Sequence, residues 1–241
     1  MAKFGLKGFY VATLSETGSN ISYTNGKKVS KAVSLSENRS YDEAKLYADD
    51  GLADSVKALS ELALTMVPDG LTPEEESALV GKTLNASLTI GEGTLTNAYT
   101  TGDNDEGSAV GFGCYVQERI AGVASYKAII YPKVKFAPSD SVEYSTRGES
   151  TEFVTTEYSG KAYKPDVPPK DYIIEVPCTT ENEAEGIIRA VLAVPTTYTE
   201  TQLTAWSESE LLRVAQALGC EVTTESTKAQ LITAILAENP S

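Results

Sequence analysis

The chain has 241 residues, enough for one or two domains with a real core, and 34 acidic against 20 basic side chains give a net charge of −14. It contains no histidine, which removes Ser-His-Asp and Cys-His nucleophiles, His-ligated zinc and the usual near-neutral proton shuttle. The acidic balance argues against wrapping nucleic acid or lying on an anionic membrane, since both need Lys/Arg surfaces.

The hydrophobic share of 41% with 22% charged residues is that of a globular chain. Cys114, Cys178 and Cys220 are odd in number and form no CxxC pair, so they read as reduced, partly buried thiols suited to a reducing cytoplasm. No signal-peptide pattern opens the sequence, and no apolar run approaches the roughly 20 residues of a membrane span.

In chain order, the first two thirds read as mostly β, with Thr, Ser, Val, Tyr and Gly frequent and turn signals at short intervals. Residues Phe9–Leu14 predict a strand. Asn25-Gly26, between Ile21–Tyr23 and Lys28–Ser30, predicts a tight hairpin turn because both residues tolerate positive φ. Thr72-Pro73-Glu74-Glu75 predicts a capping box with proline at the first helical position. The short acidic helix that follows buries Leu79 and Val80 and ends at Gly81.

Residues 85–108 are Gly/Thr/Asn-rich and predict a solvated loop; Asp103–Gly107 fails the ligand spacing of a calcium loop. From Ser125 to Phe136, Tyr126, Ala128, Ile130, Val134 and Phe136 share one parity and predict one buried face, with Pro132 marking an edge or a bulge. Glu152–Tyr158 predicts a further strand.

Residues 166–171, within Lys164–Asp171, predict a proline-rich linker between a β-domain at 1–165 and an appended domain at 172–241. The charge divides there as well. Residues 1–165 hold 16 bases and 22 acids (−6), and residues 166–241 hold 4 and 12 (−8). The appended part opens with a strand at Tyr172–Val176, and Glu183–Val194 is ambiguous between helix and strand. Two capping boxes, Ser207/Glu210 and Thr227/Gln230, then start helices with stripes Leu211-Leu212-Val214-Ala215-Leu218 and Leu231-Ile232-Ile235-Leu236.

No constellation on the page carries catalysis, and no catalytic, cofactor or metal site is expected. Asp49-Asp50 falls in a loop, and Glu74–Glu76 is accounted for by helix capping. Gly91-Glu92-Gly93 and Gly111-Phe112-Gly113 lack the rest of any phosphate-binding motif. The 13 tyrosines are scattered along β segments and read as core and strand-face packing.

Two resemblances add to this reading. The helix–extended–helix pattern of residues 200–241, with Thr227–Ile232 opening its second helix, resembles the small HeH/SAP-like modules. Many of those bind DNA, but this copy sets Arg213 and Lys228 against six acids, which favours a packed appendage.

Residues 3–165 resemble the major tail (tail tube) proteins of siphophages that infect Gram-positive bacteria. The resemblance is carried by blocks in order: Phe4–Ala12, Leu46-Tyr47-Ala48-Asp49-Asp50-Gly51 with the alternation Leu62, Leu64, Met66, then Leu79–Lys82, Val110–Gly113, Tyr126–Val134 and Thr146–Phe153. It implies a mainly β protomer of sandwich or barrel type. It also implies self-assembly into stacked, hexameric rings forming the conduit for DNA ejection in the virion.

The implied partners are further copies of the chain, a tape measure protein in the lumen, and tail terminator and distal tail proteins at the ends. DNA would pass without specific binding, and no membrane is involved. A long hairpin at residues 37–60 would reach neighbouring rings, with Tyr41, Leu46, Tyr47, Asp49, Asp50 and Leu52 as its contacts. The alternative reading is a non-viral β-rich binding module of a cell-surface or secretion assembly.

Overall fold

The computed structural model describes residues 2–48, 51–102, 107–120, 122–139, 142 and 155–240. The protein is mainly β. Strands β1 (Ala2–Ser15), β2 (Ser22–Ser30), β3 (Ala32–Ala48) and β4 (Gly51–Pro68) precede helix α1 (Pro73–Val80). A separate hairpin, β5 (Thr83–Ile90) and β6 (Gly93–Thr100), leads to β7 (Val110–Ile120), β8 (Val123–Phe136) and β9 (Tyr158–Ala162). Then come β10 (Ile174–Cys178) and helices α2 (Glu181–Val191), α3 (Glu200–Thr204), α4 (Glu208–Ala217) and α5 (Lys228–Ala237).

Eight strands form one antiparallel sheet in the order β2-β1-β7-β8-β9-β4-β3, with β10 added on β8. The two edge strands, β2 and β3, are consecutive in the chain and separated only by Lys31. Its N–H donates to Asp69 (3.0 Å), and its carbonyl accepts from the Asp69 N–H (3.1 Å). The sheet therefore curls until its two ends meet at one corner. Phe9, Leu62, Leu64, Met66, Phe112, Tyr131, Val134 and Phe136 fill the interior, and α1 plugs it with Leu79 and Val80. Phe112 is the hub, its ring 5.4 Å from Phe9, 5.4 Å from Phe136 and 5.8 Å from Tyr131.

The other face of β1, β7 and β8 is covered as well. Tyr10, Ala12, Tyr115, Ala128 and Ile130 pack under Ala184, Ile187, Ile188 and Leu192 of the α2 segment. This explains why Ile129 and Tyr131 share the other parity of β8 with Lys127, Lys133 and Lys135, because both faces of that strand are covered. Pro132 produces the expected bulge: the register slips between Val110↔Val134 and Phe112↔Tyr131. The slip also corrects the expected parity. Tyr126, Ala128 and Ile130 face the helices, whereas Val134 and Phe136 join Ile129 and Tyr131 in the interior. Pro132 sits between the rungs that β8 makes with β10 (Tyr126–Ile130) and with β9 (Val134–Phe136), so its missing N–H breaks no ladder bond.

Several sequence expectations need correction. Asn25-Gly26 makes no hairpin turn; β2 runs through it, and Asn25 at φ 53° absorbs a bulge. Residues 83–100, most of the expected solvated loop, form the β5–β6 hairpin; the failed calcium motif at 103–106 lies outside the described residues. Of the strand expected at Glu152–Tyr158, residues 152–154 are also outside them. Residues 155–157 are irregular, and the strand begins at Tyr158. Residues 183–194 are resolved as helix through Val191.

The 166–171 segment is irregular but pinned. Asp166 donates its N–H to Glu16 (2.7 Å) and takes Lys133 (3.2 Å), and Pro168 accepts from Ile21 (3.0 Å). The chain after it re-enters the sheet as β10. Residues 172–194 thus share the β core, and the helix–extended–helix pair α4/α5 packs outside α2.

Candidate assembly interface

The distal part of the β3–β4 hairpin has no ladder partner outside itself among the described residues. β4 pairs with β9 only from Leu62 to Met66, while its pairing with β3 continues to Ala48↔Gly51. From Ser40↔Glu61 outward the two strands pair only with each other among the described residues. At about 3.3 Å per residue this ribbon is roughly 30 Å long. The inward half is set by alternation: Leu62, Leu64 and Met66 are almost fully buried. The outward half loses that pattern, and residues 41–45 and 54–58 are all exposed.

Of the residues expected to make contacts on this arm, Tyr41 is 55% exposed and opposes Leu59. Leu46, Tyr47 and Leu52 lie on its paired distal strands, at Leu46↔Asp54 and Tyr47↔Leu52. Asp49 and Asp50 lie outside the described residues. Val56 adds a second exposed apolar side chain at 62%.

The β5–β6 hairpin is a second arm, missed by the sequence reading. Its signal was legible as strict alternation. Leu84, Ala86, Leu88 and Ile90 share one face with Leu95 and Tyr99 through the rungs Leu84↔Tyr99 and Leu88↔Leu95. Thr83, Asn85, Ser87, Thr89, Thr94 and Thr96 occupy the other. The apolar face is open, with Leu84 at 52%, Ile90 at 63% and Leu95 at 51% exposure. An isolated two-stranded ribbon is marginally stable in water, so an apolar face on one asks for a cover.

Between β1 and β3 runs a cleft of about 570 Å³, walled by Phe4, Gly5 and Leu6 on one side and Val33 to Arg39 on the other, with Val116, Ile129 and Tyr131 as its floor. Among the described residues, both walls are strand edges without a ladder partner on the cleft side. β2 covers β1 only from Phe9 to Ser15, and β3 ends the sheet order. The carboxylates here have partners: Glu37 accepts from Tyr131 Oη (2.9 Å) and pairs with Arg39, and Glu175 pairs with Lys127 (3.6 Å).

The charged side chains elsewhere hold elements together. Glu185 accepts from Tyr10 (2.7 Å) and from Arg189 (2.7 and 3.0 Å). Burial pushes its carboxyl up, and those hydrogen bonds more than reverse it, leaving the pKa below its ordinary value. Glu183, almost fully buried, accepts from Thr179 N–H (2.7 Å) and Oγ1 (2.9 Å) and pairs with Arg213 of α4. Glu75 completes the α1 capping box, and Glu76 takes Lys82 (2.7 Å) and Tyr158 Oη (3.1 Å). A second cavity of about 570 Å³ between α2 and α3 is lined by Glu185, Arg189, Gln202 and Trp206; its carboxylate and guanidinium are already joined to each other. Among the described residues, no group of three or more Cys, Asp or Glu side chains could hold a metal ion. No helix there is long and apolar enough to cross a membrane.

No protein-family model and no curated protein matches the chain.

Proposed function

We propose that this chain is a structural subunit of a phage tail tube, assembling into stacked, hexameric rings that form the conduit for DNA ejection. The observation that carries the reading is the projecting β3–β4 ribbon. It occupies the stretch to which the tail-tube resemblance assigns the inter-ring element, residues 37–60, and from Ser40↔Glu61 outward its strands pair only with each other among the described residues. The open edges of β2 and β3 and the uncovered β5–β6 face agree with a protomer completed by its neighbours, since unprotected strand edges are a hazard in a free β protein. An acidic conduit repels DNA phosphates and prevents sticking during passage.

The reading includes no catalytic step. The helix–extended–helix unit is a packed appendage in this account, because its net charge of −4 over residues 200–241 opposes phosphate binding. The test is to replace residues 42–58 by a two-residue Asn-Gly turn and examine the purified protein by electron microscopy. Single rings without stacks are the expected outcome; stacked tubes of normal length would refute the role given to the ribbon.

A further inference from the structure

Resting on the assembly reading, we propose that the apolar face of the β5–β6 hairpin of one copy seats in the β1/β3 cleft of the next. The two surfaces complement each other in three respects. The first is backbone: among the described residues both cleft walls present strand edges without a ladder partner, and β5 and β6 each have no partner on their outer edge, so an outer edge of the hairpin that pairs with a wall satisfies donors and acceptors on both copies.

The second is apolar surface. Phe4 and Val33 at the rim are 48% and 54% exposed, and Leu84, Ile90 and Leu95 on the hairpin are 51–63% exposed. Each side leaves open what the other can cover. The cleft wall from Val33 to Arg39 spans about 23 Å and an eight-residue strand about 26 Å, at roughly 3.3 Å per residue.

The third is charge. Two copies of a −14 chain repel, but residues 83–100 carry one charged side chain, Glu92, at the hairpin tip. The hairpin is therefore a surface at which like-charged copies can approach closely. In the cleft, Glu37 is already paired with Arg39 and hydrogen-bonded by Tyr131, and Glu175, which also lines it, is paired with Lys127 (3.6 Å), so each of these carboxylates has a partner before seating.

The test uses full-length protein in a Cys220→Ser background, with Val33→Cys in one preparation and Leu95→Cys in another. Both positions are more than half exposed, so neither change disturbs the core. Cys114 and Cys178 are buried and stay silent. Each preparation, and an equimolar mixture, is assembled, imaged, oxidised and run on a non-reducing gel. A disulfide-linked dimer in the mixture and in neither preparation alone is the expected result. Rings without that cross-link overturn the seat and leave the assembly reading standing. A dimer from Leu95→Cys alone also overturns it, by placing hairpin against hairpin. Neither rings nor cross-link overturns both.

Discussion

Tyr10, Tyr115, Tyr131 and Tyr158 bury their rings in the core and donate their hydroxyls to Glu185, Glu181, Glu37 and Glu76, each on another element. This places the polar end of a large apolar side chain on a carboxylate instead of in apolar surroundings. The Glu185 contribution has a defined pH dependence. Its folded pKa lies below the ordinary 4.5, so its stabilisation is complete above that value and is lost as the pH falls through the lowered pKa. The melting temperature should drop between pH 6 and pH 3, and Glu185→Gln should drop less over the same interval; an equal drop would contradict the assignment. The thiols give a second check. Burial, then the charge of Glu37, pushes Cys114 up to about 12, and burial pushes Cys178 up to about 11. At pH 8 an aromatic disulfide reagent should therefore titrate no more than Cys220 in folded protein and all three cysteines in denaturant.

At the scale of elements, α2 lies close to the sheet because glycines make room for it. A Cβ on Gly113 would lie 2.9 Å from Ile188 and 3.0 Å from Leu192, and one on Gly26 would lie 1.9 Å from the Leu192 carbonyl. Gly113→Val should therefore destabilise the fold by about 1–3 kcal/mol in urea unfolding, as overpacking does, whereas Gly70→Ala, with open space around it, should change little. This seat is also the role of the Gly111-Phe112-Gly113 stretch, which the sequence could only mark as an incomplete phosphate motif. What was legible in the sequence was local: the α1 capping box, the α4 and α5 caps, the alternation of β4, and that of β8 as far as Ile130. The α3 start was equally written, as Thr199 with Gln202. What was not legible depends on partners far along the chain. Asn25-Gly26 has turn chemistry, but the loop at 16–21 already turns the chain, so β1 pairs straight through it. The β8 parity failed because a bulge moves every later side chain to the other face.

At the scale of the whole molecule, the proline-rich stretch is not where the core ends. The sequence alone would let a truncation near Lys164 leave an assembling β-domain. The structure changes that outcome, since the cut removes β10 and α2 and opens Tyr10, Ala12, Tyr115, Ala128 and Ile130 to water. Losing Ile187, Ile188 and Leu192 alone forfeits about 1.5–3 kcal/mol each. The 1–164 fragment should aggregate or show a lowered, broadened melting transition; a sharp transition at the full-length temperature would show that α2 contributes nothing to the fold. The division of charge also takes on a structural meaning, because the −8 of residues 166–241 belongs to the segment that supplies β10 and helices α2 to α5.

Self-assembly of the protomer is the central requirement of a tube subunit. Negative-stain electron microscopy of the purified full-length protein, taken across a concentration series, tests it most directly. Rings of uniform diameter, stacking into tubes as the concentration rises, are the predicted result. A monodisperse monomer at the highest concentration reached, with the β3–β4 and β5–β6 arms intact, would contradict it.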